Sequence, residues 1–387
     1  MTITHPAPFT QPYYSSHGIQ LDTVHTKTTI GPVVKDKKLF RVLSLDAGTE
    51  AGGLVCARIL QEILSRKSDL IQNTDLIICT SAGSWTGVSI ASGNTLDWTI
   101  ENIWTGPTLA KTIKAHFCKF LFQSLFGKNF PAPLQAYFGG RTLRSLSKPL
   151  MVTSTCIGHE TSSRASKEPV PPYDVKVWSS YQHPGMDAFE VIRYSSAAPI
   201  LAPVYKGNVD GGIMRLDPSM IGLMRLANMV SNPSLNKNHQ LELPKSMSDV
   251  RLLSIGNGVA PLDPINGTHN WGLAPWIFDN PERLVRLFFQ TNFYSTSYEL
   301  SEYMQSLSGP EGESQHYARV NPTIPINLWQ LAEMYLCDEN GPINASSTQA
   351  VKDYVAAANA HQRQRARGQS NVSWEQLMDW MDDNWHK

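Results

Sequence analysis

Apolar runs of strand length alternate with stretches of helical period through most of this chain. Leu39-Phe40-Arg41-Val42-Leu43-Ser44-Leu45 is rich in apolar and β-branched residues and predicts a buried strand. It runs into Asp46-Ala47-Gly48-Thr49-Glu50-Ala51-Gly52-Gly53 and then into a helix with Leu54, Ala57, Ile59, Leu60 and Ile63 on its apolar face. Leu76-Ile77-Ile78 predicts a second strand, and the small residues from Gly83 to Val88 are able to open a helix behind it. Further strands are expected at Val152–Cys156, at Tyr173–Val177 and at Arg251–Ile255, the last ending in Gly256-Asn257-Gly258. A long helix is expected from Pro281, a favourable first-turn residue, through Leu284, Leu287 and Phe288. Lys352 to Ala366 reads as helical. A last helix, with Ser373 as N-cap, would carry Trp374, Leu377, Met378, Met381 and Trp385 on one face. Such a stripe either docks on its own domain or recruits a partner. Strand and helix alternating in this way predict an α/β fold.

The candidate chemistry sits at two strand ends. Cys79-Thr80-Ser81-Ala82-Gly83 lies between an apolar strand and a helix start, the setting in which a serine is lifted out of a sheet as a nucleophile. The small neighbours let the backbone turn sharply. Cys79 stands where a glycine usually precedes such a serine by two residues, so the pentapeptide alone is a weak signal. The Asp46–Gly53 loop enters a helix with unpaired N–H groups and suits an anion. It lacks the Lys-Ser/Thr pair of a P-loop and the spacing of a dinucleotide site, which disfavours nucleotide binding. An oxyanion site is the better use of those amides. Later, Arg193–Pro203 is followed by Tyr205-Lys206-Gly207-Asn208-Val209-Asp210-Gly211-Gly212. Asp-Gly-Gly alone is a turn signature. Beside Ser81 and the Asp46 loop, Asp210 is also the base for a Ser-Asp dyad.

In their order, these blocks resemble the patatin-like phospholipase family over about residues 39–320. That resemblance implies a three-layer α/β fold, a mainly parallel sheet between helices, with a helical insertion and a helical C-terminal extension. It implies Ser81 as nucleophile and Asp210 as general base. Gly48, Thr49 and Ala82 would supply the oxyanion hole, with Asp46, Ala47, Cys79, Gly83, Gly211 and Gly212 as supporting loop positions. The oxyanion loop departs from the family's three glycines and arginine. Thr49 cannot take φ > 0 without strain, Glu50 adds an anion, and Ala51 in place of the arginine removes a cation near the site. The leading expectation is Ser-Asp hydrolysis of a lipid or other hydrophobic ester, without a cofactor. Acyl transfer to a non-water acceptor through the same dyad is the alternative enzyme. A lipid-binding or interaction protein with a worn site is the alternative outside catalysis. A Ser-His-Asp triad is a less favoured variant, with His183 as third member and His159 assigned to a loop.

Bulk properties alter this picture little. In 387 residues, 33 Lys plus Arg balance 33 Asp plus Glu, so no global field attracts nucleic acid. The length suits one large domain with extensions: an arm over 1–37, a catalytic domain over 38–325 with an insertion at about 100–148, and a helical extension over 326–387. From Asn102 to His159 there is no acidic residue, while Lys111, Lys114, Lys119 and Lys128 are interleaved with Phe117, Phe120, Phe122, Phe126 and Phe130. The functional reading is a peripheral membrane contact through about 109–130. Packing of the aromatics on the core, with solvated lysines, is the favoured one. The five cysteines have neither disulfide-framework nor metal-ligand spacing. A reactive Cys79 is a less favoured reading than packing. No secretory signal or membrane span is read from the sequence, so a cytoplasmic location is expected. The dyad needs no metal, and a homo-oligomer stays open.

Overall fold

Leu76–Thr80 (β2) lies inside a seven-stranded sheet in the computed structural model, and every residue of that strand is buried. The structure describes residues 39–48, 50–105, 132–158, 173–199, 201–236, 241–258, 267, 270–272, 274–278, 281–309, 315–322, 349, 351–353, 355–356 and 372–385. The remaining strands are β1 (Phe40–Leu45), β3 (Leu150–Cys156), β4 (Asp174–Ser179), β5 (Asn208–Asp210), β6 (Val250–Ile255) and β7 (Tyr317–Val320). They are ordered β4-β3-β2-β1-β6-β7, with β5 also on β3. β1 pairs in parallel with β2 and β6, β2 with β3, and β6 with β7. β4 and β5 both run antiparallel to β3. The expected mainly parallel sheet between helices is what the chain forms.

Strands covered on both faces read as unbroken apolar runs, because successive side chains point to opposite layers and both layers are dry. Leu43, Leu45, Ile77 and Cys79 face one core with α1 (Glu50–Arg66) and α2 (Ala82–Ala91). Val42, Leu76, Ile78 and Met151 face the other, against α4 (Ser219–Ser231) and α5 (Pro281–Ser308). Between these in sequence, α3 (Ala188–Ser195) begins at Asp187, whose side chain accepts from Phe189 N and Glu190 N. Helix α2 is buried along its whole length, which explains why it shows small and apolar residues all round instead of a stripe.

The last helix, α6 (Trp374–Asn384), starts at Ser373 in a reciprocal capping box with Gln376. Trp374, Leu377, Trp380, Met381 and Trp385 join the α1–α2 core, so the stripe docks on the domain that carries it. Arg41 Nε donates to Asn384 O at 3.0 Å and Trp385 Nε1 to Leu70 O at 3.1 Å, tying α6 to the end of the sheet where β1 begins. Residues 38–387 belong to one compact unit. The arm at 1–37, the basic aromatic segment at about 109–130, and most of Lys352–Ala366 lie outside the described residues. No helix among the described residues is long and apolar enough to cross a membrane.

Leu377 is fully buried under this helix. Leu377→Ala is expected to cost about 2–5 kcal/mol in a urea titration, the range for emptying a buried leucine site. A loss below about 0.5 kcal/mol would show that α6 is not docked in solution.

Candidate active site

Ser81 and Asp210, 129 positions apart, are brought together by competition for one edge of β3. β4 occupies one side of β3 from Met151 to Cys156. On the other side β2 pairs as far as Thr80↔Thr153, and β5 comes in from the opposite direction to pair Asp210↔Ser154. The two strands stop head to head, so the residue after Thr80 meets Asp210. Ser81 Oγ donates to Asp210 Oδ2 at 2.5 Å. Both residues are buried, with 7% and 5% exposure.

Each chain must leave the sheet abruptly at that point. Ser81 does so at φ 50° and ψ −128°, a backbone conformation that costs a non-glycine residue about 1–3 kcal/mol. Its amide donates to Ser195 Oγ at 2.7 Å, and its carbonyl accepts from Ser84 N and Ser84 Oγ. Gly83 lets α2 start against the end of β1, since a Cβ there would stand 2.5 Å from Asp46 O and 2.6 Å from Leu45 O. At Gly211 a Cβ would meet Thr80 Oγ1 at 2.2 Å, so only glycine can make this exit beside β2. Gly212 N donates to Asp210 Oδ1 at 2.6 Å, which fixes the carboxylate and leaves Oδ2 for the serine.

The loop expected to hold an oxyanion packs beside Gly83 and Gly212, which follow the two residues. Ala47 N donates to Leu216 O at 2.7 Å and is therefore committed elsewhere, while Asn257 Nδ2 donates to Ala47 O. Among the described residues, the N–H groups of Gly48 and Ala82 are left without a hydrogen-bond partner. Thr49 and the side chain of Glu50 lie outside the described residues. Cys79 is fully buried with Sγ against Met151 O, and burial pushes its thiol pKa up, so it is a packing group. His183 Nδ1 accepts from Ser179 N and its ring lies 5.2 Å from that of Trp178, a setting without contact to the dyad. His159 lies outside the described residues. No cluster suited to a metal occurs among the described residues.

Position 51 carries no charge, and a different cation reaches the base of this loop: Arg319 on β7 extends past β6 to the end of β1. Its Nη2 donates to Asp46 Oδ2 at 2.6 Å, and its Nη1 to Asp217 Oδ2 at 2.8 Å and to Ser254 Oγ at 2.6 Å. Burial opposes the guanidinium charge, but the two carboxylates outweigh it and hold Arg319 above the ordinary arginine value. Sequence reasoning missed Arg319, Asp217 and the role of Ser195. The available signal was a charge in the middle of Tyr317-Ala318-Arg319-Val320, since a buried arginine requires a partner. Ser195→Ala would strand the buried Ser81 N–H and is expected to lower unfolding free energy by about 1–3 kcal/mol. Urea titration checks this, and an unchanged midpoint would show that another group accepts that bond.

No family model matches the chain. Among curated proteins it is 26% identical over 256 residues to "Putative sporulation hydrolase CotR" of Bacillus subtilis (strain 168), covering 64% of this chain and 72% of that one. Among solved structures, VipD from Legionella pneumophila aligns over 82% of this chain and 67% of its own, with 12% identity and a TM-score of 0.34. The order of the motifs, the sheet topology and the meeting of Ser81 with Asp210 agree with the resemblance to patatin-like phospholipases, with a loop after β1 that departs from that family's run of glycines.

Proposed function

We propose that the chain is a serine acyl hydrolase that cleaves lipid or other hydrophobic carboxylic esters through an acyl-Ser81 intermediate. The observation that carries this reading is the 2.5 Å hydrogen bond from Ser81 Oγ to Asp210 Oδ2, made by a serine at positive φ. A hydroxyl already bonded to a carboxylate has its proton acceptor in place. The hydrolase name of the Bacillus relative agrees with the coarse class and says nothing of substrate.

In the first half-reaction Asp210 Oδ2 takes the Ser81 proton as Oγ bonds to the ester carbonyl carbon. The carbonyl π electrons move onto oxygen, where the N–H groups of Gly48 and Ala82 are the donors on offer. The N-terminal end of α2 adds its positive pole. Collapse breaks the bond to the leaving-group oxygen, which takes up from Asp210 the proton that came from Ser81, and the acyl group stays on Ser81. Water then gives a proton to Asp210 as it attacks the acyl carbon, and the proton returns to Ser81 Oγ as the acid departs. A carboxylate is a weak base toward an alcohol at its solution pKa of about 3.9. The short bond places Asp210 Oδ2 within transfer distance of Ser81 Oγ. Two amides with no partner among the described residues favour a working site over a worn one.

A fluorophosphonate probe read by intact mass tests the reading. One adduct is expected on the wild type and none on Ser81→Ala; an unlabelled wild type, or a labelled Ser81→Ala, would reject Ser81 as nucleophile. Asp210→Asn is expected to label at least about 10²-fold more slowly with an unchanged circular dichroism spectrum. Wild-type labelling in that variant would remove Asp210 from the dyad. Product analysis with and without an acceptor alcohol separates hydrolysis from acyl transfer.

A further inference from the structure

Resting on the acyl-serine reading, we propose that Arg319 is a positioning residue that holds the oxyanion amides in register with the Ser81–Asp210 dyad by clamping the two loops that carry them. Asp46 is the residue at which β1 leaves the sheet for Ala47 and Gly48, and Asp217 ends the segment that Asp210 begins. A single guanidinium holds both carboxylates, and Ser254 on β6 pins the same Nη1 from between them. The segments are also stitched directly. Ala47 N donates to Leu216 O, and Gly212 has no room for a Cβ because Ala47 Cβ would lie 2.9 Å away. Movement at Asp217 therefore passes to Gly48 on one side and to Gly212, the donor to Asp210, on the other.

Stability alone gives little reason for such a cluster. Arg319 is 3% exposed and both aspartates 0%, and a buried ion pair of this kind is often no more stable than apolar side chains of equal volume. What it supplies is geometry. An arginine fork presents fixed donors to two carboxylates and a hydroxyl together, whereas a lysine offers a compact point charge that cannot span them in one plane. The side chain touches neither Ser81 nor Asp210, so its effect on catalysis runs through the loops.

Arg319→Lys is the test, since it keeps the charge and removes the fork. With a p-nitrophenyl ester, and per folded molecule well below the melting temperature, kcat is expected to fall about tenfold or more. That falls short of the 10²–10³ seen when an oxyanion donor is lost outright. KM should stay within about twofold. Hydrogen exchange should rise in peptides covering 46–53 and 211–218 and stay unchanged across β2 and the body of α2. Wild-type kcat together with wild-type exchange in Arg319→Lys would overturn the clamp. If that variant fails to fold, Asp217→Asn, which preserves shape and removes one of the two charges, should show the same pattern several-fold more weakly, and its absence there would overturn the proposal. If the wild type neither labels nor hydrolyses the ester, the acyl-serine reading is what has failed, and the exchange measurement alone decides whether Arg319 clamps the loops.

Discussion

β3 offers one edge to two strands that arrive from opposite directions, and the site follows from where each of them stops. Thr80 and Asp210 pair with consecutive residues of β3, Thr153 and Ser154, so neither strand can advance further without colliding with the other. Both chains are forced out of the sheet at one place. Ser81 leaves through a strained φ that four hydrogen bonds hold, and Gly211 leaves through a gap too small for any side chain. A hydroxyl and a carboxylate then face each other in a nearly dry crevice. Sheet register, and not loop flexibility, sets their separation.

The departures from a glycine-rich pattern become intelligible once neighbours are considered in pairs. Cys79 stands at a position expected to be glycine, and the missing space is found on α2, where a Cβ at Gly87 would lie 2.7 Å from Cys79 Sγ. Ala47 adds a methyl group to the oxyanion loop, and Gly212 opposite it has none. The cation missing from position 51 is likewise replaced from elsewhere, by a guanidinium on β7 that approaches from beneath. In each case the local sequence loses a feature and a distant residue restores the volume or charge.

This explains what was legible in the sequence. The apolar runs located β1, β2, β3, β4 and β6 to within one or two residues but not β7, the Ser373 cap and its stripe located α6, and the Ser81 and Asp210 blocks could be named from their turns. Local chemistry dictates those features: small residues at a sharp turn, a hydroxyl at a helix start, alternation in a buried strand. The Arg319–Asp46–Asp217 cluster was not legible, because its members are up to 273 positions apart and meet only through the order β1-β6-β7. Ser195 was visible as part of a motif, but its bond to the Ser81 amide depends on how α3 packs beside α2. Composition and periodicity carry no record of such cross-connections.

The docking of α6 also bears on how the chain is made. Arg41 at the start of the sheet and Asn384 at the end of the helix are 343 positions apart, yet they share a buried hydrogen bond. At synthesis rates of about 5–20 residues per second, β1 waits roughly 17–70 seconds for that partner to be translated. Throughout this interval the apolar seats of Trp374, Leu377 and Trp385 stand open on a nascent polypeptide. Completion of this core therefore awaits synthesis of α6, and a chain lacking that helix would leave those seats exposed.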